Sequence, residues 1–181
     1  KNTQKEKDWS NPVFCSEIND QLSPVTLWRY MSLAKFIHLI STSSIYLPQS
    51  SQFEDPMEGH LPESIFFELQ KRLEKSQHIT ETNKKYELAT LKNYSNFTLV
   101  SCWHASQHES EAMWKLYSKD NQSIAIQTTV HKLVPSLGRL PEHARAGFVK
   151  YIDFKNPPKD FKIDPIYTKR NSYSHEKEFR I

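Results

Sequence analysis

The sequence predicts a mixed α+β fold, one compact domain with a mixed or antiparallel sheet and short helices. Three observations carry that prediction. Alternating runs of bulky residues recur along the chain without regular long helices between them, which disfavours a doubly wound parallel sheet. A length of 181 residues suits one domain and is short for two. Aromatic residues make up 12% of the chain, with 4 Trp, 8 Tyr and 10 Phe, and bury enough area for a core despite a mean hydropathy of −0.70.

The elements follow in chain order. Residues 1–23 are polar and poorly periodic and read as a tail or strap, leaving 24–181 as the domain. TLWRYM (26–31) alternates as a strand. Ser32 then caps a helix, LAKFIHLI, whose Leu33, Phe36, Ile37 and Ile40 form one apolar stripe. STSS makes a turn, and SIYLP (44–48) reads as a second strand ended by Pro48. Asp55–Pro56–Met57–Glu58 is almost a capping box, with Asp at N-cap, Pro at N1 and Glu at N3. Pro62 opens a helix that turns Ile65, Phe66, Leu69 and Leu73 inward, and a polar helix covers roughly 80–92. FTLVSCW (97–103) is the strongest strand pattern, and ESEAMWKLY (109–117) is helical. SIAIQTT (123–129), GFVKYID (147–153) and, after a Pro-rich loop, HEKEFRI (175–181) read as further strands. Because the chain ends at Ile181 inside an apparent strand, the sequence is expected to continue beyond it.

Composition narrows the function. Only Gly59, Gly138 and Gly147 occur, so neither GxGxxG nor GxxxxGK[ST] can be built. Cys15 and Cys102 cannot make a disulfide framework, and the absence of a signal peptide or long apolar run predicts a cytoplasmic protein without membrane contact. A net charge of +3 and pI near 8.7 permit nucleic-acid contact without arguing for it. The nearest basic stripe comprises Lys150, Lys155, Lys159, Lys162, Lys169, Arg170 and Lys177, interrupted by Asp153, Asp160 and Asp164. Cys102, His104 and His108 lack CxxC or HExxH spacing, so no metal is expected and Cys102 reads as a small buried residue.

Four stretches carry a resemblance: LWRYMSLAKFIHLI (27–40), IYLPQSSQFEDPMEG (45–59), LVSCWHASQHESEAMWKLY (99–117) and HEKEFRI (175–181). In this order they resemble the recurring blocks of the bacterial family catalogued as domain of unknown function 2971. Relatives usually continue past the Glu–x–Glu–aromatic–Arg strand. The family's layout is similar, at the level of fold analogy, to that of ADP-ribosyltransferases. The resemblance implies an NAD-using enzyme that cleaves the nicotinamide–ribose bond and passes ADP-ribose to nucleic acid or protein. It further implies a bacterial defence or toxin role and an antitoxin or regulatory partner chain.

Under that implication Glu176 and Glu178 form a catalytic pair, since strand residues i and i+2 share a face. A fixed carboxylate stabilises the sugar cation and binds a ribose hydroxyl, while a second orients the attacking group. A plain surface pair of Glu178 with Arg180 on the same face stays open. Arg29 is expected to grip the NAD pyrophosphate or to pair with a strand carboxylate such as Glu178. Tyr30, Tyr46, Trp114 and Tyr117 are candidates to line the nicotinamide pocket or simply to pack. Asp55 and Glu58 form a structural turn or face the cleft, and a nuclease or hydrolase using Asp55, Glu58 and His104 is a third reading. The competing non-enzymatic reading is a module that binds nucleic acid or a partner protein through loop 151–174, with Lys169 and Arg170 as contacts.

Overall fold

The computed structural model describes residues 13–15, 25–117, 122–138, 140–158 and 164–181, and the chain is α+β. It divides into two compact units, each assembled from separate stretches of sequence. The first comprises Lys1–Leu47, Ser101–Phe148 and Glu176–Ile181; the second comprises Pro48–Val100 and Val149–His175. Because both units are discontinuous, no linker in the sequence marks the division.

The first unit is built on an antiparallel sheet. Its strands are β1 (Val13–Phe14), β2 (Thr26–Ser32), β3 (Cys102–Ala105), β4 (Ser123–Thr129), β5 (Arg145–Phe148) and a final strand, Glu178–Arg180. Labelling that last strand β8, the order across the sheet is β1-β5-β8-β3-β2-β4. The stretch read as a tail thus supplies an edge strand, with Val13 opposite Ala146; residues 1–12 and 16–23 of it lie outside the described residues. One face of the sheet is apolar. Leu27, Trp103, Ala146 and Phe179 pack there with Val130, Leu133 and Val134. Those three come from a short helix, Val130–Ser136, that the sequence reading missed because Pro135 breaks its pattern.

Helix α1 (Leu33–Thr42) is capped by the Ser32 hydroxyl, which accepts the Lys35 N–H, and closes on Ser43 in the left-handed region at φ 49°. Its apolar stripe does not turn inward: Leu33, Ile37 and Ile40 are exposed, and no α1 residue is buried. SIYLP forms no strand. The Tyr46 carbonyl is occupied by the Arg29 side chain, and an isolated bridge joins Gln49 to Leu99.

In the second unit, helices α2 (Glu63–Lys75) and α3 (Glu81–Lys92) form where periodicity places them, and a short helix α4 spans Tyr94–Phe97. α4 consumes the start of FTLVSCW. The rest of that run divides between two sets of partners: Val100 N–H donates to Pro48, whereas Ser101 exchanges hydrogen bonds of 2.7 and 3.1 Å with Ile181. GFVKYID divides likewise. Gly147–Phe148 belongs to β5, and Lys150–Ile152 forms β6, which pairs in parallel with β7 (Thr168–Arg170). An uninterrupted apolar run gives no sign that its hydrogen-bond partners change halfway along.

Candidate functional site

Sheet register decides which predicted site residues meet. Trp28 lies opposite His104, and His104 lies opposite Glu178. Cross-strand partners share a face and neighbours in a strand alternate. Trp28, Tyr30, Cys102, His104, Glu178 and Arg180 therefore project to one side, and Arg29 projects to the other. The proposed convergence of Arg29 with Glu178 does not form.

Glu178 is buried and held by Arg180. The guanidinium Nε donates to one carboxylate oxygen at 2.8 Å and an η nitrogen donates to the other at 3.1 Å. Arg180 is completely buried. This is the i, i+2 pairing that strand alternation anticipates, but it is a desolvated, bidentate pair instead of a surface one. Glu176 departs from expectation. It ends a 3-10 helix, Asn171–Glu176, and Lys177 at φ 41° breaks the alternation, so the two glutamates do not stand side by side on a strand.

What Glu176 contributes is its carbonyl, 2.7 Å from His104 Nδ1. A carbonyl can only accept, so Nδ1 carries the hydrogen and Nε2 is the basic nitrogen of the neutral ring. Nε2 has no partner among the described residues. His104 entered the sequence reading only through its strand partner Cys102 and through the hydrolase alternative; its anchoring carbonyl lies 72 residues away and leaves no local signal. Among the described residues no group of three His, Cys, Asp or Glu side chains is placed to hold a metal ion.

Helix α5 (Glu111–Tyr117) brings aromatic rings to this face. Trp114 meets Tyr30 edge-on at 5.1 Å, Tyr117 stacks with Tyr30 at 6.4 Å, and Tyr30 meets His104 at 6.2 Å. Burial pushes the Tyr30 phenol above its usual value, only partly countered by the Ser110 N–H donating to its oxygen at 2.7 Å. Trp114 Nε1 donates to Glu109 at 2.9 Å. Three of the five predicted cofactor-binding residues, Tyr30, Trp114 and Tyr117, thus cluster together, with Tyr30 against His104.

Arg29 and Tyr46 gather elsewhere. Arg29 donates to the Ser101 hydroxyl at 2.8 Å and to the Tyr46 carbonyl at 3.0 Å, and its guanidinium lies 5.5 Å from the Trp103 ring centroid. It does not pair with Glu178, whose carboxylate Arg180 already occupies.

In the second unit Asp55 and Glu58 sit in a turn and not at a helix start. Asp55 accepts the Met57 N–H at 3.0 Å, the Glu58 N–H returns to the Asp55 carbonyl at 2.9 Å, and α2 begins only at Glu63. Gly59 closes the turn at φ 69°, where a Cβ would come within 2.9 Å of Ser95 Cβ. Asp55 pairs with Arg170 at 2.6 Å, and Glu58 lies 3.6 Å from Lys169. Both carboxylates border a half-open cavity of about 330 Å³, with Phe53, His60, Lys92 and Asn96 among its other walls. Lys169 and Arg170, the expected nucleic-acid contacts, are engaged by these pairs and by the Tyr173 ring. Lys159, Lys162 and Asp160 of the basic stripe lie outside the described residues.

The fold and this face define an α+β protein carrying an imidazole–carboxylate–arginine group beside an aromatic wall. No family model, curated protein or solved structure matches the chain. No helix among the described residues is long and apolar enough to cross a membrane.

Proposed function

We propose that the protein is an NAD-using, ADP-ribosyltransferase-like enzyme whose site is the sheet face bearing Glu178 and His104. The observation that carries this reading is a carboxylate fixed bidentately by buried Arg180, on the same face as an imidazole with an open Nε2 and three aromatic rings. Arg180 fixes the direction of the Glu178 carboxylate. A carboxylate oxygen carries more than one lone pair, so pairing with Arg180 does not by itself bar a ribose hydroxyl. As the bond from ribose C1′ to the nicotinamide nitrogen breaks, its electron pair leaves with neutral nicotinamide. The positive charge left on the sugar falls to Glu178, whose desolvation strengthens the attraction. His104 Nε2 takes the proton of the incoming nucleophile, and the new bond forms at C1′. The half-exposed Tyr117 ring offers a stacking surface for nicotinamide.

Arg29 has no part in this arrangement, which differs from the sequence expectation. The acceptor is nucleic acid or protein, and a defence or toxin role with an antitoxin or regulatory partner extends the same reading. The test is nicotinamide release from NAD, followed chromatographically. Wild-type protein is expected to release it. His104→Gln should slow transfer by about 10²-fold or more while keeping NAD binding. Absence of both nicotinamide release and any NAD-dependent thermal shift in the wild type ends the proposal.

A further inference from the structure

Arg29 and Arg180 of the sheet unit are both partly or wholly withdrawn from water, and they are treated differently. Arg180 has a bidentate carboxylate partner. Arg29 has none among the described residues: its two hydrogen bonds go to the neutral Ser101 hydroxyl and the Tyr46 carbonyl. Burial works against its charge, and the smaller opposing contributions come from Cys102 and Tyr117, not from a carboxylate. A guanidinium offers five N–H donors, so with two used, three remain unassigned. An uncompensated cation at a half-buried position is costly and gains most from an external anion.

The surroundings suit one. Ser101 and the Tyr46 carbonyl fix the fork, and the Trp103 ring lies 5.5 Å away. The Tyr46 ring, attached to the residue that anchors the guanidinium, is 61% exposed. An oriented planar fork suits tetrahedral oxyanions, and an exposed ring on the residue that anchors the fork suits a base.

We propose that Arg29 anchors a phosphate-binding site on the face of the sheet opposite Glu178 and His104, with the Tyr46 ring as a platform for the base when the phosphate belongs to a nucleotide. The site is separate from the glycosyl-transfer chemistry and stands whether or not NAD is turned over.

The test is a thermal-shift and calorimetric titration of the whole chain with inorganic phosphate, AMP and NAD. Ionic strength is held constant with chloride, which is also the control anion. Phosphate and AMP are expected to raise the melting temperature saturably, chloride is not, and Arg29→Gln should weaken the effect at least tenfold. AMP binding more tightly than phosphate, with the difference lost in Tyr46→Ala, identifies a nucleotide; equal affinities identify free phosphate. Should Arg29→Gln not fold, the Arg29 Nε–H resonance of wild-type protein must move on phosphate addition. A wild type with no saturable response to any of the three ligands, or an Arg29→Gln protein that responds like wild type, overturns the site.

Discussion

Each unit buries acid–base pairs, but they are assembled by different means. In the sheet unit Glu178 and Arg180 are two residues apart on β8, and the strand's own alternation puts them together. In the second unit Asp55 meets Arg170 across 115 residues, through a turn and the short strand β7. The first pair is almost wholly out of water; in the second, the Arg170 side chain stays 38% exposed and its Nε has no hydrogen-bond partner among the described residues. A local pair can be placed deep because regular backbone guarantees its geometry. A pair that depends on loop closure keeps one partner near solvent, where small errors of position cost less.

That contrast can be broken most directly at Glu178. Glu178→Ala leaves the wholly buried Arg180 without its carboxylate and should cost about 3–5 kcal/mol, read by urea unfolding. Replacing both residues with apolar side chains of similar volume should recover most of the loss; no recovery would show that the pair is not the source. Asp55→Ala should cost less, about 1–2 kcal/mol, because solvent takes over part of the Arg170 interaction while the Met57 N–H loses its cap. A larger loss for Asp55→Ala than for Glu178→Ala reverses the comparison.

A pH experiment sharpens it within the sheet unit. Burial pushes the Cys15 thiol from 9.0 up to about 11. Between those values the unfolded chain loses a proton that the folded chain retains, so stability is complete below pH 9 and falls as pH rises toward 11. Cys15→Ala should flatten that limb of the stability curve. Slow reaction of Cys15 with thiol reagents at pH 8 is the companion measurement. The smallest effect is expected on α1: Ile40→Ser, at a position 61% exposed, should change stability by no more than about 0.5 kcal/mol. A loss of several kcal/mol there would mean that the stripe is covered in the folded protein.

Legibility in the sequence followed the range of the interactions. β2, α3 and β4 and the Ser32 cap were readable because alternation, helical period and capping act over a few residues. The shared face of Glu178 and Arg180 was readable for the same reason. Glu176 was misplaced because one left-handed residue, Lys177, interrupts a pattern that otherwise looks like strand. The expected meeting of Arg29 with Glu178 does not form because a strand residue's face is relative, and only the register Trp28–His104–Glu178 shows which side it takes.

The sequence alone therefore determined the α+β class, most helices and strands, the turn around Asp55 and the aromatic cluster on α5, all of which rest on local sterics and hydrogen bonding. Tertiary structure decided the division into two discontinuous units, the splitting of FTLVSCW and GFVKYID, the anchoring of His104, and the separation of Arg29 from Glu178. Those depend on which distant backbone groups satisfy one another, a choice settled by three-dimensional packing and invisible in any short window of the chain.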